Sequence, residues 1–233
     1  METTISGRAH HFLVDYGMFQ GDHEASQKNL EFLPIAPKDL EFVVLTHAHI
    51  DHSSLIPRLC AQGFTGLIYC TKTSHELLKI LLPDSAHLQL ADLERAERKA
   101  KLGKWHGEMS VALYSKQEVE NALTQFEPLE YRKPIEIASS IELEFHNAGH
   151  VLGSAIAELT VQEDVAQRKR YVFSGDLGMK GTPPGAPVEN IWMTCSVNGQ
   201  KCMRVNTVDQ IWKISDILEH FSRFIPIEPG HKL

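Results

Sequence analysis

Residues 47–52 read His-Ala-His-Ile-Asp-His, which places four metal-binding side chains within six positions. Neutral imidazole and carboxylate groups suit zinc, iron or manganese, and histidine is the commonest ligand of such ions. Alternate residues of a tight loop share a side, so His47 and His49 can bind one ion while Asp51 and His52 bind another. The alternative is a polar turn that is rich in histidine by chance, but polar turns favour Gly, Asn, Asp and Ser. The spacing indicates a metal site and, by itself, no particular substrate.

A buried strand is predicted immediately before this cluster. Residues 42–45 read Phe-Val-Val-Leu, a short apolar run that is typical of such a strand. A helix is predicted to follow over residues 53–61, so the cluster lies in the loop at the carboxyl end of the strand. Loops held by a rigid scaffold commonly carry binding and catalytic groups.

The remaining elements are predicted from periodicity and capping patterns. Residues 141–146 alternate Ile, Leu and Phe with Glu, Glu and His, which is the period of a half-buried strand. Thr73 with Glu76 and Ser115 with Glu118 have the spacing of capping boxes that open helices. Further predicted strands cover residues 11–15, 67–70, 155–161 and 171–173. The predicted helices cover residues 73–82, 84–101 and 115–126.

Three segments are predicted to interrupt or follow these elements. Pro83 is expected to end the helix over residues 73–82, because proline has no amide hydrogen to donate inside a helix. Residues 163–170 are predicted to form a charged hairpin turn. After residue 185 no strand pattern continues, and apolar residues at helical spacing predict an amphipathic helix over about residues 207–225.

The His-x-His-x-Asp-His pattern after an apolar strand resembles the signature of the metallo-β-lactamase superfamily. That resemblance implies a downstream histidine and a downstream aspartate at strand ends, for which His150 and Asp176 are the candidates. It also implies an upstream aspartate, for which Asp15 is the candidate. Taken alone, His150 could be a strand-end histidine bonded to backbone, and Asp176 could be a turn residue beside Gly175.

Within this superfamily the chain is most similar to the β-CASP group of RNA-cutting nucleases. The segments that carry this resemblance are residues 13–21, 45–53, 84–87, 149–155 and 173–178. The resemblance covers about residues 7–183. It implies an α/β metallo-β-lactamase fold, an αββα sandwich, that is incomplete because the inserted β-CASP domain is lacking. The expected organisation is a metallo-β-lactamase-like domain over residues 1–183 and a divergent tail over residues 184–233.

The resemblance also implies roles for the candidate residues around two zinc ions. His47, His49 and His150 would bind the first ion, Asp51 and His52 would bind the second, and Asp176 would bridge both. Asp15 would orient the ligand loop. Asp51 and Asp176 are the implied catalytic residues, acting with a metal-bridging hydroxide that attacks phosphorus, and Asp51 is a candidate to position that hydroxide or to take its proton.

The pattern of the family is not complete in this sequence. A last histidine ligand for the second metal is expected, but neither His220 nor His231 has the motif that surrounds it. We therefore expect a truncated fold whose second metal is weakly bound or missing. One interpretation of the tail over residues 184–233 is an out-of-frame reading, which the nucleotide sequence would test.

Composition limits the classes of partner. The formal net charge is −7, so the overall field does not attract RNA, and basic clusters at residues 95–104 and 168–170 are predicted to be a solvated helix face and a turn. No apolar run approaches the roughly 20 residues of a membrane span. The four cysteines lack Cys-x-x-Cys spacing and indicate reduced thiols and a cytoplasmic location.

Three functions remain open from the sequence. The first is a metal-dependent endonuclease or exonuclease with RNA as its partner. The second is a catalytically inactive subunit that acts as an interaction or scaffold protein, with a protein partner or as a homodimer. The third is a hydrolase of small esters or lactams. The intact set of implied ligands favours a hydrolase, whereas the missing last histidine favours impaired activity.

Overall fold

Two facing β-sheets form the centre of the first of two compact units, which are Met1–Gly178 with His231–Leu233 and Met179–Gly230. The computed structural model describes residues 2–5, 8–21, 23–102, 111–162, 168–178, 192–197, 200–206 and 219. None of the helices in these residues has the length and hydropathy needed to span a lipid bilayer.

The first sheet has five strands and is largely parallel. Its strands, in the order in which they pair, are β1 (Glu2–Ile5), β2 (Arg8–Val14), β3 (Phe42–Val44), β4 (Leu67–Thr71) and β5 (Phe126–Leu129). Strand β1 pairs antiparallel with β2, and the pairs from β2 to β5 are parallel. The carboxyl ends of the parallel strands therefore meet at one edge of the sheet.

The second sheet has four antiparallel strands. They are β6 (Ile135–Ala138), β7 (Ile141–Asn147), β8 (Ala155–Gln162) and β9 (Arg168–Phe173), paired in chain order. The predicted alternation of β7 is confirmed, because Ile141, Leu143 and Phe145 are buried while the residues between them are partly exposed. The residues predicted as a charged turn are in part strand, since β9 begins at Arg168, and residues 163–167 lie outside the described part.

The described residues of the first unit also form five α-helices and one 3₁₀ helix. The helices are α1 (His23–Lys28), α2 (Ile50–Ser53), α3 (Ile56–Ala61), α4 (Lys72–Lys101) and α5 (Lys116–Leu123), and the 3₁₀ helix is Pro37–Asp39. The capping box at the start of α5 is confirmed, with both the Ser115 and the Glu118 hydrogen bonds formed. That helix ends earlier than predicted because Phe126 begins β5 and pairs with Ile68.

Two buried clusters show how the layers are arranged. Phe42 and Val44 of β3 lie between the two sheets, against Leu143 and Phe145 of β7. Val43 of β3 lies on the opposite side, in a cluster formed by the sheet with α3, α4 and α5. A strand buried on both faces reads as a continuous apolar run, which explains the sequence of β3. The α/β class and the incomplete sandwich are thereby confirmed, with one layer of helices followed by two layers of sheet. None of the described helices contributes to the cluster between the sheets.

Helix α4 corrects the prediction of two helices separated at Pro83. It runs unbroken through Pro83, and its N-cap is Thr71, whose side chain accepts a hydrogen bond from the Ser74 amide. The predicted capping box at Thr73 is therefore wrong, because the helix begins two residues earlier. Leu82 and Ala86 on either side of the proline are buried in the core. Their burial outweighs the local penalty of proline, so tertiary packing overrides the helix-breaking signal.

The predicted helix over residues 53–61 is also corrected. Two short helices replace it, and the first of them begins at Ile50, inside the histidine cluster, with His49 as its N-cap residue. The backbone of residues 50–53 is therefore helical, which turns Asp51 and His52 away from the preceding extended segment.

The second unit contains a hairpin that the sequence analysis did not predict. Strand β10 (Trp192–Val197) pairs antiparallel with β11 (Gln200–Asn206). The missed signal is Asn198-Gly199 between two runs rich in strand-forming residues, a dipeptide that strongly favours tight hairpin turns. The predicted helix over residues 207–225 lies outside the described residues, except for Glu219, which is helical.

The proline inside α4 gives a testable prediction. We expect Pro83→Ala to raise the free energy of unfolding by about 1–2 kcal/mol. The change restores an amide donor for the Lys79 carbonyl, and the gain is reduced because alanine leaves the unfolded chain freer. Urea unfolding followed by circular dichroism measures the effect. Leu82→Ala, next to it and fully buried, is the matched control and should instead cost about 2–5 kcal/mol. Unchanged or lower stability of Pro83→Ala would contradict the prediction.

Candidate metal centre

Four chain segments bring the predicted ligands to one place. The loop after β3 carries His47 and His49, and helix α2 continues it with Asp51 and His52. The loop between β7 and β8 carries His150, and the segment after β9 carries Asp176. Asp15 follows β2 directly. Parallel neighbours end at the same edge of a sheet, so β2 and β3 place Asp15 beside the histidine loop.

One group of four side chains converges on a single point. His49 Nδ1 lies 3.1 Å from His47 Nε2 and 3.3 Å from His150 Nε2. Asp176 Oδ2 lies 3.5 Å from His150 Nε2 and 4.0 Å from His47 Nε2. All four ligand atoms lie within 4.8 Å of one another.

This donor set fits a zinc ion. Zinc–nitrogen bonds of about 2.0–2.1 Å in tetrahedral geometry separate neighbouring donors by about 3.3 Å. Three of the donor separations, 3.1, 3.3 and 3.5 Å, are close to that value, and the separation of 4.0 Å between His47 and Asp176 is longer. Three imidazole nitrogens and a carboxylate oxygen are also ligands that zinc accepts in proteins.

A second group lies on the other side of Asp176. His52 Nε2 is 3.5 Å from Asp176 Oδ1 and 3.9 Å from Asp51 Oδ2. The two carboxylate oxygens of Asp176 therefore face different groups, Oδ2 toward the first and Oδ1 toward the second. The described residues offer three donors to this second group, one fewer than to the first.

The two groups differ in exposure to solvent. The His47 side chain is 0% exposed, whereas Asp51 is 50% and Asp176 is 45% exposed. A ligand or a water molecule from solvent therefore reaches the two groups from the side of Asp51 and Asp176. His47 therefore forms the buried floor of the centre, whereas His150 of the same group is 28% exposed.

The Asp15 carboxylate organises the loop from below. Its Oδ1 accepts a hydrogen bond from the Thr46 amide at 2.7 Å, and its Oδ2 accepts one from the Thr46 hydroxyl at 2.8 Å. The Asp15 Oδ2 atom also accepts a bond from His52 Nδ1 at 2.8 Å. The backbone amide of Asp15 donates to the Val44 carbonyl, which ties the ends of β2 and β3 together.

These hydrogen bonds fix which ring nitrogen of two histidines carries the proton. The single hydroxyl proton of Thr46 goes to Asp15, so the Thr46 oxygen accepts from His47 Nδ1 at 3.0 Å. His52 Nδ1 likewise donates to Asp15. In both rings the proton is held on Nδ1, and the lone pair of Nε2 points toward the metal-binding groups.

The His150 loop is held by bonds to its own end and to α4. Ser154 Oγ accepts hydrogen bonds from the His150 and Val151 amides at 3.0 and 3.2 Å. The Gly153 carbonyl accepts from the Thr71 and Ser74 hydroxyls at 2.7 and 3.0 Å. The N-terminus of the long helix α4 therefore positions a ligand that is distant in sequence.

Two glycines permit close approach of the backbone around the centre. A Cβ added at Gly17 would lie 2.0 Å from the Asp51 carbonyl carbon, and one added at Gly178 would lie 1.7 Å from the Gly149 oxygen. The Gly178 amide also donates to the Ala148 carbonyl. These contacts join the Asp15 loop to α2 and the Asp176 segment to the His150 loop.

The electrostatics of the centre favour neutral imidazoles in its floor. Burial lowers the pKa of His47 to about 4, and the neighbouring His52 and His49 act in the same direction. Burial lowers the pKa of His49 too, followed in effect by His150. The hydrogen bond to Asp15 instead raises the pKa of His52. At neutral pH His47 and His49 are therefore uncharged, which is the form that binds a metal.

The structure brings together every residue that the sequence predicted for the site. His47, His49, His150 and Asp176 converge, Asp51 and His52 lie beside them, and Asp15 lies beneath. Thr46 and Ser154 were not predicted from the sequence, although both stand in the segments that carry the resemblance. Their signal was a hydroxyl residue next to a ligand loop. His220 and His231 lie outside the described residues.

Comparison with known proteins identifies the family of this chain. A family model described as the metallo-beta-lactamase superfamily matches residues 4–194. The transcription termination factor FttA of Methanocaldococcus jannaschii is 30% identical over 165 residues, covering 71% of this chain and 23% of that protein. Ribonuclease TTHA0252 of Thermus thermophilus is 32% identical over 183 residues, covering 75% of this chain and 36% of that protein.

The chain thus spans between about a quarter and a third of the length of these curated relatives. Solved structures found by comparison include the S60 mutant of a metallo-beta-lactamase from Cronobacter sakazakii. It is 15% identical, has a TM-score of 0.43, and covers 78% of this chain and 57% of that one.

The hydrogen bonds of Asp15 predict an effect of Asp15→Asn on metal binding. In the variant, an amide nitrogen, which is a donor, stands in place of the acceptor Oδ2 and faces His52 Nδ1. The proton of the His52 ring therefore moves to Nε2, where it removes the lone pair that faces Asp176. We expect zinc affinity to fall by about 10- to 100-fold. Competition with a chromophoric chelator measures it. Asp92→Asn, an exposed aspartate on α4, is the control, and equal affinities for both variants would show that Asp15 does not set this orientation.

The buried His47 predicts how the stability of the metal-free chain depends on pH. Its pKa is about 4 when folded and about 6.5 when unfolded, so the unfolded state binds more protons between those values. Stability should therefore fall as the pH is lowered from 6.5 toward 4.5, with a contribution from His47 of about 2 kcal/mol. His52 acts in the opposite direction, because its pKa is raised in the folded chain. Its contribution to the stability of the fold is present below pH 6.5 and is lost as the pH rises through the folded pKa.

Thermal unfolding in EDTA at pH 6.5 and 4.5 measures this dependence. His47→Gln should lose less stability over that interval than the parent chain. His87→Gln, at an exposed position on α4, should behave like the parent. A His47→Gln variant with the same loss as the parent would disprove the assignment.

Proposed function

Because this chain belongs to the metallo-β-lactamase superfamily, we propose that it carries the catalytic centre of a metal-dependent hydrolase that cleaves RNA phosphodiester bonds. The observation that carries the proposal is the convergence of three histidines and Asp176 within 4.8 Å, with Asp51 and His52 on the other oxygen of Asp176. The resemblance drawn from the sequence, to the RNA-cutting branch of this superfamily, is confirmed by relatives that include a protein named as a ribonuclease.

The proposed ligands are those predicted from the sequence. His47, His49 and His150 would hold a first zinc ion, Asp51 and His52 a second, and Asp176 both. When bound, the metals would activate water as a nucleophile at neutral pH and offset the charge that develops on the phosphoryl oxygens. We expect the first ion to bind more tightly, because it has four donors and a buried floor, whereas the described residues give the second ion three donors.

The side chains of the centre have separate tasks in this proposal. Asp51 is half exposed and faces the open side, so it is placed to accept a proton from water or to pass one to a leaving group. His52 donates a hydrogen bond from Nδ1 to Asp15 on one side and faces Asp51 and Asp176 on the other. Asp15 and Thr46 position the histidines through hydrogen bonds.

The proposal extends to the organisation of the chain. Residues 1–183 would form the domain that carries this centre, and residues 184–233 would be a separate region that supplies none of the proposed ligands.

Metal content and cleavage of a labelled single-stranded RNA test this function. We expect one tightly bound zinc per chain, a weaker second one, and cleavage that EDTA abolishes. Asp176→Asn should lower the cleavage rate by about 100-fold or more, because it removes negative charge from both ions at once. Asp92→Asn, exposed on α4, should cleave like the parent.

Each contrary result has a distinct meaning. A chain that binds zinc but cleaves no RNA with zinc at saturation contradicts the hydrolase and leaves the interaction subunit. A chain that binds no zinc contradicts the metal centre itself. Cleavage that survives both EDTA and Asp176→Asn would show a contaminating nuclease or a different site.

A further inference from the structure

A cavity of about 630 Å³ opens directly beside the exposed half of the metal centre. Residues 15–20 line it together with Asp51 and His52. Phe19 belongs to this lining and is 57% exposed. An aromatic ring of this size gains by being covered, so its exposure next to a catalytic centre marks a surface for recognition.

The loop that presents Phe19 is held in place on both sides. The side-chain amide of Asn29 accepts a hydrogen bond from the Phe19 amide at 2.8 Å and donates one to the Phe19 carbonyl at 2.9 Å. The preceding Met18 amide donates to Ser54 Oγ and to the Ile50 carbonyl, both at 3.2 Å. The ring therefore projects from a backbone that is fixed relative to α2. Binding a ligand on this ring costs little conformational entropy of the backbone.

The same asparagine leads to a second exposed aromatic ring. The Arg58 guanidinium donates to the carbonyls of Asn29 and Leu30, the latter at 2.7 Å. That guanidinium lies 5.8 Å from the centroid of the Phe32 ring, and Phe32 is 79% exposed. Phe19 is similarly paired, with Lys28 Nζ at 5.9 Å from its centroid. Each exposed ring thus has a cation over it.

Alternating rings and cations are what single-stranded nucleic acid recognises. Each base offers a flat face that stacks on an aromatic side chain, and the phosphates between the bases pair with Lys and Arg. Lys28 has Glu24 as an exposed ion-pair partner at 3.3 Å, which is a weak contact in water and leaves the ammonium able to meet a phosphate.

We propose that Phe19, Lys28, Arg58 and Phe32, here called the aromatic strip, bind the bases and phosphates of single-stranded RNA that leads away from the metal centre. Phe19 stacks on a base next to the cleaved bond, and Phe32 stacks on one further along the strand. This inference rests on the proposed function, since it places that substrate on the surface. Its binding contacts are independent of the metals.

Binding of fluorescein-labelled oligo(U) in EDTA, compared with an abasic oligomer of equal length, tests the strip. The full chain should bind oligo(U) more tightly than the abasic oligomer, which carries the same charge. Phe19→Ala and Phe32→Ala should each weaken oligo(U) binding by about 5- to 100-fold and leave abasic binding within a factor of two. Leu88→Ala, at a similarly exposed apolar position on α4, is the control and should change neither affinity.

Any other pattern overturns the strip. Equal affinity of the parent chain for the two oligomers would mean that no base is stacked. Equal losses of affinity for both oligomers would mean that the rings support the structure of the chain. Unchanged affinity would mean that the rings do not bind RNA and instead contact another kind of partner, such as a protein. Binding is measured in EDTA, where no catalysis occurs, so it is independent of the cleavage assay with zinc. Base-dependent binding together with no cleavage in that assay would reject only the hydrolase. Cleavage together with no base-dependent binding would reject only the strip.

Discussion

The Asp15 carboxylate is the contact on which the geometry of the centre depends. It accepts hydrogen bonds from the Thr46 amide, the Thr46 hydroxyl and the His52 ring, at 2.7 to 2.8 Å. Asp15 adopts a φ of 59°, a left-handed conformation that aspartate tolerates better than most residues. An uncommon backbone conformation is thus retained where it aims one carboxylate at two chain segments. Through Thr46 the same group also orients His47, so one side chain sets the free lone pairs of two histidines.

The layers around the site explain why its two halves differ. Strand β3 is buried on both faces, and His47, three residues after its end, is also buried. Helix α2 begins three residues later and leads the chain back toward solvent, which leaves Asp51 half exposed. Asp176 lies between them and presents one oxygen to each side. A dry floor strengthens electrostatic interactions with an ion, and an open rim admits water and substrate.

The loop after β2 connects metal chemistry to a binding surface. Asp15 at its start supports the ligands, and Phe19 four residues later lines the adjoining cavity. Gly17 lies between them against the Asp51 backbone, where a Cβ would not fit. Asn29 then holds Phe19 by both backbone groups and, through its own carbonyl, contacts Arg58. A short run of chain can therefore position both the reacting end of a substrate and the strand that continues from it.

Local patterns in the sequence determined a substantial part of this protein. The histidine cluster, the apolar run of β3 and the alternation of β7 depend on neighbouring residues and on side-chain direction, so each was readable without the fold. The capping box at Ser115 was readable for the same reason, because both of its hydrogen bonds join residues three apart. The residues of the candidate centre were all named in advance, with His150 and Asp176 chosen through the resemblance to a known family.

Only the tertiary structure decided how those residues meet. Helix α4 continues through Pro83 because buried neighbours on both sides outweigh a local penalty, and that balance is set by distant residues of the core. The proton positions on His47 and His52 depend on Asp15, more than thirty residues away. The clamp of Asn29 on Phe19, the Ser154 contact to His150 and the two faces of Asp176 are contacts between segments. Their signals are ordinary polar residues in loops, and the physical reason that sequence reasoning passes over them is that a hydrogen bond acquires its partner only when the chain folds.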